Sequence, residues 1–169
     1  PPMSARRQRQ MCIRDRVATG EKFLEPKFTD AEARIGETGV DEIAHANLEF
    51  KNGIKAKVST AVRESMKNNA VITGSEGTIE LPDPWMPGRQ GGPYHAKIII
   101  SKNGNEEVTD VKGPEHLFFF EGELASQCIA KEKTQPPHPA MTWEDTLGNL
   151  QALDTWREKV NYKLPQDEI

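Results

Sequence analysis

The chain has 169 residues, with 22 Lys+Arg against 26 Asp+Glu and a formal net charge of −4. That length suits one domain with a real core. No apolar run approaches the roughly 20 residues of a membrane span, and the acidic balance argues against a nucleic-acid surface, which needs clustered positive charge.

The first segment stands apart from the rest. Arg6 to Arg16, "RRQRQMCIRDR", holds five arginines, one acid and no apolar period. A secretory signal needs an uninterrupted apolar stretch, and a transit peptide is Ser-rich and amphipathic. Neither pattern is present. The segment resembles a translated sequencing adapter of the tagmentation type, which reads through all of it in one frame. On that reading residues 1–16 are an artefactual or disordered leader. Native sequence then begins at Val17, and the chain is the C-terminal piece of a longer protein. Setting Arg6 to Arg16 aside removes five positive charges and one negative, which takes the remainder from −4 to about −8. Cys12 falls in the same segment and leaves Cys128 alone, so no intrachain disulfide is expected. That fits a reducing, cytoplasmic setting.

From Val17 a Gly- and Pro-containing linker leads to "KFTDAEARI", a strand expected over Lys27–Ile35, and then to a turn at Gly36–Gly39. "DEIAHANLEF" places Ala44, Ala46, Leu48 and Phe50 on one face. "KNGIKAKVSTAV" places Ile54, Ala56, Val58, Thr60 and Val62 on one face. Asn52-Gly53 between them predicts a two-residue type I′ hairpin turn. Ala70 to Thr73 and Thr78 to Leu81 read as short strands around Gly74-Ser75-Glu76-Gly77. "PDPWMPGRQGGP" has four prolines and three glycines, which predicts a long loop. "YHAKIIIS" and "EEVTDV" flank Asn103-Gly104-Asn105 as another hairpin.

The pattern then turns helical. Pro114 suits a first helical turn, and Leu117, Phe120, Leu124 and Cys128 form a stripe. Thr142 and Asp145 form a Thr-x-x-acid start. Leu147, Leu150, Leu153, Trp156 and Val160 then predict one apolar face, with Leu150, Leu153 and Trp156 buried against the sheet. Strands first and helices last is the α+β pattern: a predominantly antiparallel open sheet covered on one face by the C-terminal helices.

Little of this looks catalytic. His45 and His95 on strands, His116 near a helix start and His138 in a Pro-rich loop read as structural. Asp41-Glu42 and Glu106-Glu107 are adjacent on strands and point to opposite faces, so neither pair is an acid/base couple. "GSEG" lacks the Lys and following helix of a phosphate loop. No Cys or His pair stands at metal-ligand spacing. Two readings stay open at Trp85: an aromatic on a Pro/Gly loop can line a sugar site, or it can make a satellite core contact.

The order of "TGVDEIAHANLEFKNGIKAKVSTAV", "VITGSEGTIELPDPW", "FFEGELASQCIA" and "HPAMTWEDTLGNLQALDTWR" resembles the C-terminal domain of the Gfo/Idh/MocA oxidoreductases, over about Gly20 to Val160. The last motif is most similar to members near dihydrodiol dehydrogenase and to those fused to an aldo/keto reductase domain. The resemblance implies an NAD- or NADP-dependent parent that transfers hydride to or from a sugar, cyclitol or diol. The cofactor would be bound by a missing N-terminal Rossmann domain. Residues 17–169 would be the substrate and oligomerisation domain, forming the cleft wall and a homo-oligomer contact through an open sheet face built from hairpins such as Asp41 to Val62. The family's Glu-Lys-Pro motif is absent: Glu21-Lys22 is followed by Phe23, so Lys22 takes no catalytic role. No catalytic, cofactor or metal residue is expected in this chain, and the chain by itself is expected to be inactive. Its expected partners are the Rossmann domain, a small-molecule substrate and a second copy, with no nucleic acid and no membrane. The alternative reading is a non-catalytic binding or scaffold module with an exposed sheet face.

Overall fold

The structure is a computed structural model that describes residues 25–87, 93, 95–137 and 139–163. The leader and Lys22 lie outside the described residues. In chain order the elements are β1 (Lys27–Ile35), β2 (Asp41–Glu49), β3 (Lys55–Ala61), β4 (Asn69–Gly74), β5 (Gly77–Pro82), β6 (His95–Lys102), β7 (Asn105–Lys112), α1 (Leu117–Ala130) and α2 (Trp143–Lys159). They divide between two compact units, with the second running from Lys67 to Pro136. The architecture is α+β: a three-stranded antiparallel sheet in the order β1-β2-β3 and a four-stranded one in the order β4-β5-β6-β7. The expected strand over Lys27–Ile35 is β1, and the expected pair around "GSEG" is β4 and β5, closed by the Gly74–Gly77 pairing.

In the first unit, Ala44 pairs with Thr60, Ala46 with Val58 and Leu48 with Ala56. Phe50 and Ile54 continue the pairing, since the Phe50 N–H donates to the Ile54 carbonyl at 2.9 Å. The turn between them differs from the expected two-residue type I′ form. The Gly53 N–H donates to the Phe50 carbonyl at 2.9 Å, and Gly53, not Asn52, takes the positive φ, at 82°. The loop is therefore Lys51-Asn52-Gly53, a turn followed by a left-handed glycine. Burial explains the choice. A two-residue loop would pair even-numbered β2 residues with odd-numbered β3 residues, setting Leu48 opposite Lys57. A one-residue slip moves a strand's whole apolar set to the wrong face. The same dipeptide at Asn103-Gly104 does make the two-residue turn. Both residues have positive φ, 53° and 76°, and Lys102 pairs with Asn105.

The core of this unit is Phe28, Ala44, Ala46, Leu48, Phe50, Ala152 and Trp156, with Ile54, Ala56, Val58, Leu153 and Val160 packed against it. α2 lies against β1. Its start is the expected capping box: the Thr142 hydroxyl accepts from the Asp145 N–H, and the Asp145 carboxylate accepts from the Thr142 N–H at 2.8 Å.

The buried face of α2 is a correction to the sequence reading. Asp145, Gly148, Asn149, Ala152 and Trp156 are buried, whereas Leu147 and Leu150 are 59% and 50% exposed. Trp156 is buried as expected and Leu153 is half-buried, but Leu150 points away from the core. The sheet face beneath is rich in alanine, with Ala31 opposite Ala46 and Ala33 opposite Ala44. A small-residue helix face can approach such a sheet closely, and close-packing then favours Gly148 and Ala152 over leucine. The larger volume is filled at one end by Trp156 against Phe28, ring centroids 6.3 Å apart.

In the second unit, Ile72 pairs with Ile79 and Ile79 with Ile100, an apolar row across three strands. Gly77 is required beside it, because a β-carbon there would overlap the Ser101 carbonyl oxygen. α1 begins at Leu117, later than Pro114 suggested. His116 is its N-cap, its ring nitrogen accepting from the Phe118 N–H at 3.3 Å. The stripe residues Leu117, Leu124 and Cys128 are half-buried, but Phe120 is exposed and no residue of α1 is fully buried.

Candidate functional site

Cross-strand pairing brings together side chains that are far apart in sequence. On the polar face of the three-stranded sheet, Glu32 is opposite His45 and His45 is opposite Ser59. His45 Nδ1 and Ser59 Oγ are 2.8 Å apart. The residue types are those of a nucleophile relay. Glu32 and Ser59 are, however, both exposed among the described residues, so water reaches the pair. The pair is a cross-strand contact, as the structural reading of His45 expected.

The charged residues make similar braces. The Glu42 carboxylate meets Arg34 Nε at 3.2 Å and Arg63 Nε at 3.4 Å, and Arg34 reaches Glu64 at 3.0 Å. These tie the end of β1 to the chain beyond β3. Asp41, next to Glu42, is pushed above the usual carboxylate range by burial, partly opposed by a backbone hydrogen bond. In the second unit, Glu80 accepts from Lys67 Nζ at 2.8 Å and Asn69 Nδ2 at 2.9 Å. Those hydrogen bonds, that of Lys67 foremost, hold Glu80 below its ordinary value. His95 Nε2 lies 2.8 Å from Asp110 Oδ1, and this hydrogen bond holds the Asp110 carboxyl down. Sequence reading passed over these partnerships because the partners are 8 to 30 positions apart and strand pairing brings them together. Arg34 with Glu42 and His95 with Asp110 were findable once each hairpin was aligned.

The long loop after β5 carries Trp85. Its base is pinned by the Asp83 N–H, which donates to the Asn68 carbonyl at 2.6 Å. Asp83 itself has a φ of 43°. Trp85 sits in a turn and is half-buried, a state that suits either a site wall or a satellite contact. Residues 88–92 and His138 lie outside the described residues. Among the described residues no group of three His, Cys, Asp or Glu side chains is placed to hold a metal ion. No helix among them is long and apolar enough to cross a membrane.

The described residues do not fit a dinucleotide. Such a ligand needs a parallel β-α-β unit with a Gly-rich turn at a helix N-terminus. Both sheets here are antiparallel. The connection from β7 to α1, Gly113-Pro114-Glu115-His116, offers one glycine and an acid.

No family model matches the chain. Among curated proteins it is similar to trans-1,2-dihydrobenzene-1,2-diol dehydrogenases. With that of Xenopus laevis it is 29% identical over 158 residues, covering 88% of this chain and 43% of the relative. With that of Mus musculus it is 21% identical over 149 residues, 85% of this chain and 42% of the relative. The chain thus spans about two fifths of the length of the curated relatives it matches. Among solved structures it shares the fold of a 3-ketoreductase from Actinomadura kijaniata in complex with NADP and TDP-benzene. That match has a TM-score of 0.69 at 20% identity and covers 90% of this chain and 44% of the other. A UDP-N-acetylglucosamine 3-dehydrogenase from Acidithiobacillus ferrooxidans matches with a TM-score of 0.52 at 18% identity, covering 89% and 45%. The expected likeness to dihydrodiol dehydrogenases is borne out by these relatives, and the solved structures share the fold.

Proposed function

We propose that this chain is the C-terminal substrate and oligomerisation domain, over residues 17–169, of an NAD- or NADP-dependent oxidoreductase acting on a sugar, cyclitol or diol. The observation that carries this reading is one fold match across nine tenths of the chain, to an NADP-complexed ketoreductase, joined to relatives that act on a diol. Each of those proteins is more than twice as long as the matched part. The reading therefore assigns cofactor binding and proton transfer to a separate dinucleotide domain of the parent.

In this reading Trp85, on its half-buried turn, contributes to the substrate wall. The contact with a second copy is assigned to the four-stranded sheet and not to the Asp41–Val62 hairpin, whose apolar residues pack in the core with Ala152 and Trp156. Ile79 and Ile100 on one face and Val71 and Val108 on the other are exposed, as an unfinished interface would leave them.

The test begins with clean genomic sequence upstream of Val17. An upstream β-α-β unit with a Gly-rich turn is expected. The full parent should then reduce NAD or NADP with a member of a panel of sugars, cyclitols and diols, while the 169-residue chain alone should not. A native start codon at Val17, or a full parent inert across the panel, would return the protein to the rival reading of a non-catalytic module.

A further inference from the structure

The chain holds two Asn-Gly dipeptides, Asn52-Gly53 and Asn103-Gly104, and no other asparagine precedes a glycine. This pair of residue types has a chemistry of its own. A glycine amide nitrogen, with no side chain beside it, can reach the side-chain carbonyl carbon of the asparagine before it. Both tips are open: a β-carbon on either Gly53 or Gly104 would meet nothing within 4 Å. Steric access therefore does not separate them, but hydrogen bonding does. The Gly53 N–H donates to the Phe50 carbonyl at 2.9 Å, and Asn52 Oδ1 accepts from the Ile54 N–H at 3.2 Å. Attack at Asn52 has to break both bonds. Among the described residues, neither the Gly104 N–H nor the Asn103 side chain makes such a bond. The strands behind the tips differ as well. Phe50, at the foot of the first turn, is 3% exposed and part of the core. β7, which leaves the second turn, ends the four-stranded sheet, and seven of its eight residues are exposed. Local opening is easiest where few apolar contacts hold the chain.

We propose that Asn103 is the site at which this chain deamidates spontaneously, and that the product loosens the β6–β7 hairpin; neither claim depends on the function proposed above. The Gly104 nitrogen bonds to Asn103 Cγ and the Cγ–Nδ2 bond breaks. Ammonia leaves with the proton that the Gly104 nitrogen gave up. The five-membered imide then takes up one water. Opening at Cγ leaves aspartate; opening at the backbone carbonyl leaves isoaspartate, in which the main chain runs through the former side chain. One amide and one water give one carboxylic acid and one ammonia, and nothing is oxidised or reduced. Isoaspartate carries one more backbone atom. That atom does not fit a two-residue loop that closes Lys102 on Asn105. Either product also adds a carboxylate beside Lys102, which already pairs with Glu76.

The experiment ages the purified 169-residue chain at mildly alkaline pH, folded and in urea. The two Asn-Gly peptides are followed by chromatography and mass spectrometry, which separate aspartate from isoaspartate. In the folded chain Asn103 should convert at least about fivefold faster than Asn52, since each hydrogen bond that must break slows the attack. In urea the two rates should converge, because both dipeptides follow a lysine and neither keeps its turn. Equal folded rates, a faster Asn52, an inert Asn103 in the folded chain, or a difference that persists in urea would each overturn the assignment. The consequence is read by amide hydrogen exchange over Asn105–Lys112 in the isolated isoaspartate form. Exchange faster than in the fresh chain is expected, and unchanged exchange would overturn the loosening of the hairpin.

Discussion

Phe28 of β1 and Trp156 of α2 meet with ring centroids 6.3 Å apart and planes tilted by 43°. This contact closes the one end of the helix–sheet layer where large side chains replace alanine and glycine. Trp156 is 4% exposed and Leu150 is 50% exposed, although both stood on the face expected to be buried. Trp156→Ala should cost about 3–5 kcal/mol of unfolding free energy. Leu150→Ala in the 169-residue chain should cost less than about 1 kcal/mol. Urea unfolding of both variants checks the pair, and a larger loss at Leu150 would reverse the assignment of faces.

The N-terminus of α2 depends on Thr142 and Asp145 holding each other's backbone amides. Thr142→Ala should lose about 1 kcal/mol, and Thr142→Ser should retain most of it. Thermal or urea midpoints of the two variants measure this. An unchanged midpoint for the alanine variant would mean that the helix start is held by packing alone.

Two glycines test the four-stranded sheet in different ways. Gly104 has a φ of 76° with open space around it, and Gly77 faces the Ser101 carbonyl oxygen. Gly104→Ala should cost about 1 kcal/mol, from backbone strain alone. Gly77→Ala should cost about 2–3 kcal/mol, because the backbone of β6 must move. Equal losses would show that β5 and β6 approach less closely than their pairing indicates.

Glu80 and Asp41 should respond to pH with opposite signs. The hydrogen bonds of Lys67 and Asn69 hold Glu80 below its ordinary value. Its contribution is therefore present above the unfolded-state pKa and is lost as pH falls through the folded one. Glu80→Gln should lower the urea midpoint at pH about 7, by a small amount given its solvent screening, and match the unmutated chain at pH about 2. Burial raises Asp41, so its charged form is disfavoured above the folded pKa. Asp41→Asn should raise the midpoint at pH about 7, and that gain should vanish on acidification. A pH-independent difference for either variant would point to packing and not ionisation.

The sequence by itself determined the elements and their order. Period-two alternation from Ala44 to Val62 located β2 and β3, turn residues located β4 to β7, and the Thr142–Asp145 spacing located the start of α2. These are local signals, written within a few residues of the structure they specify. The even-numbered alternation on both sides of Asn52-Gly53 even contained the loop length, since two apolar sets on even positions pair only across an odd loop. Three things were decided only by tertiary structure. Which side of α2 faces inward followed from the alanine-rich surface of β1 and β2. That surface admits Gly148 and Ala152 and turns Leu147 and Leu150 away, and the periodicity of leucines carries no information about a surface made elsewhere in the chain. The pairing of Arg34 with Glu42 and of His95 with Asp110 followed from hairpin register. The partition of the strands into two sheets followed from which edges hydrogen-bond. The apolar side chains left outward, Leu147 and Leu150 on α2 and Ile79 and Ile100 on the second sheet, look alike in sequence to those that are buried. Only packing separates them, because burial is a property of the surface a residue meets and not of the residue.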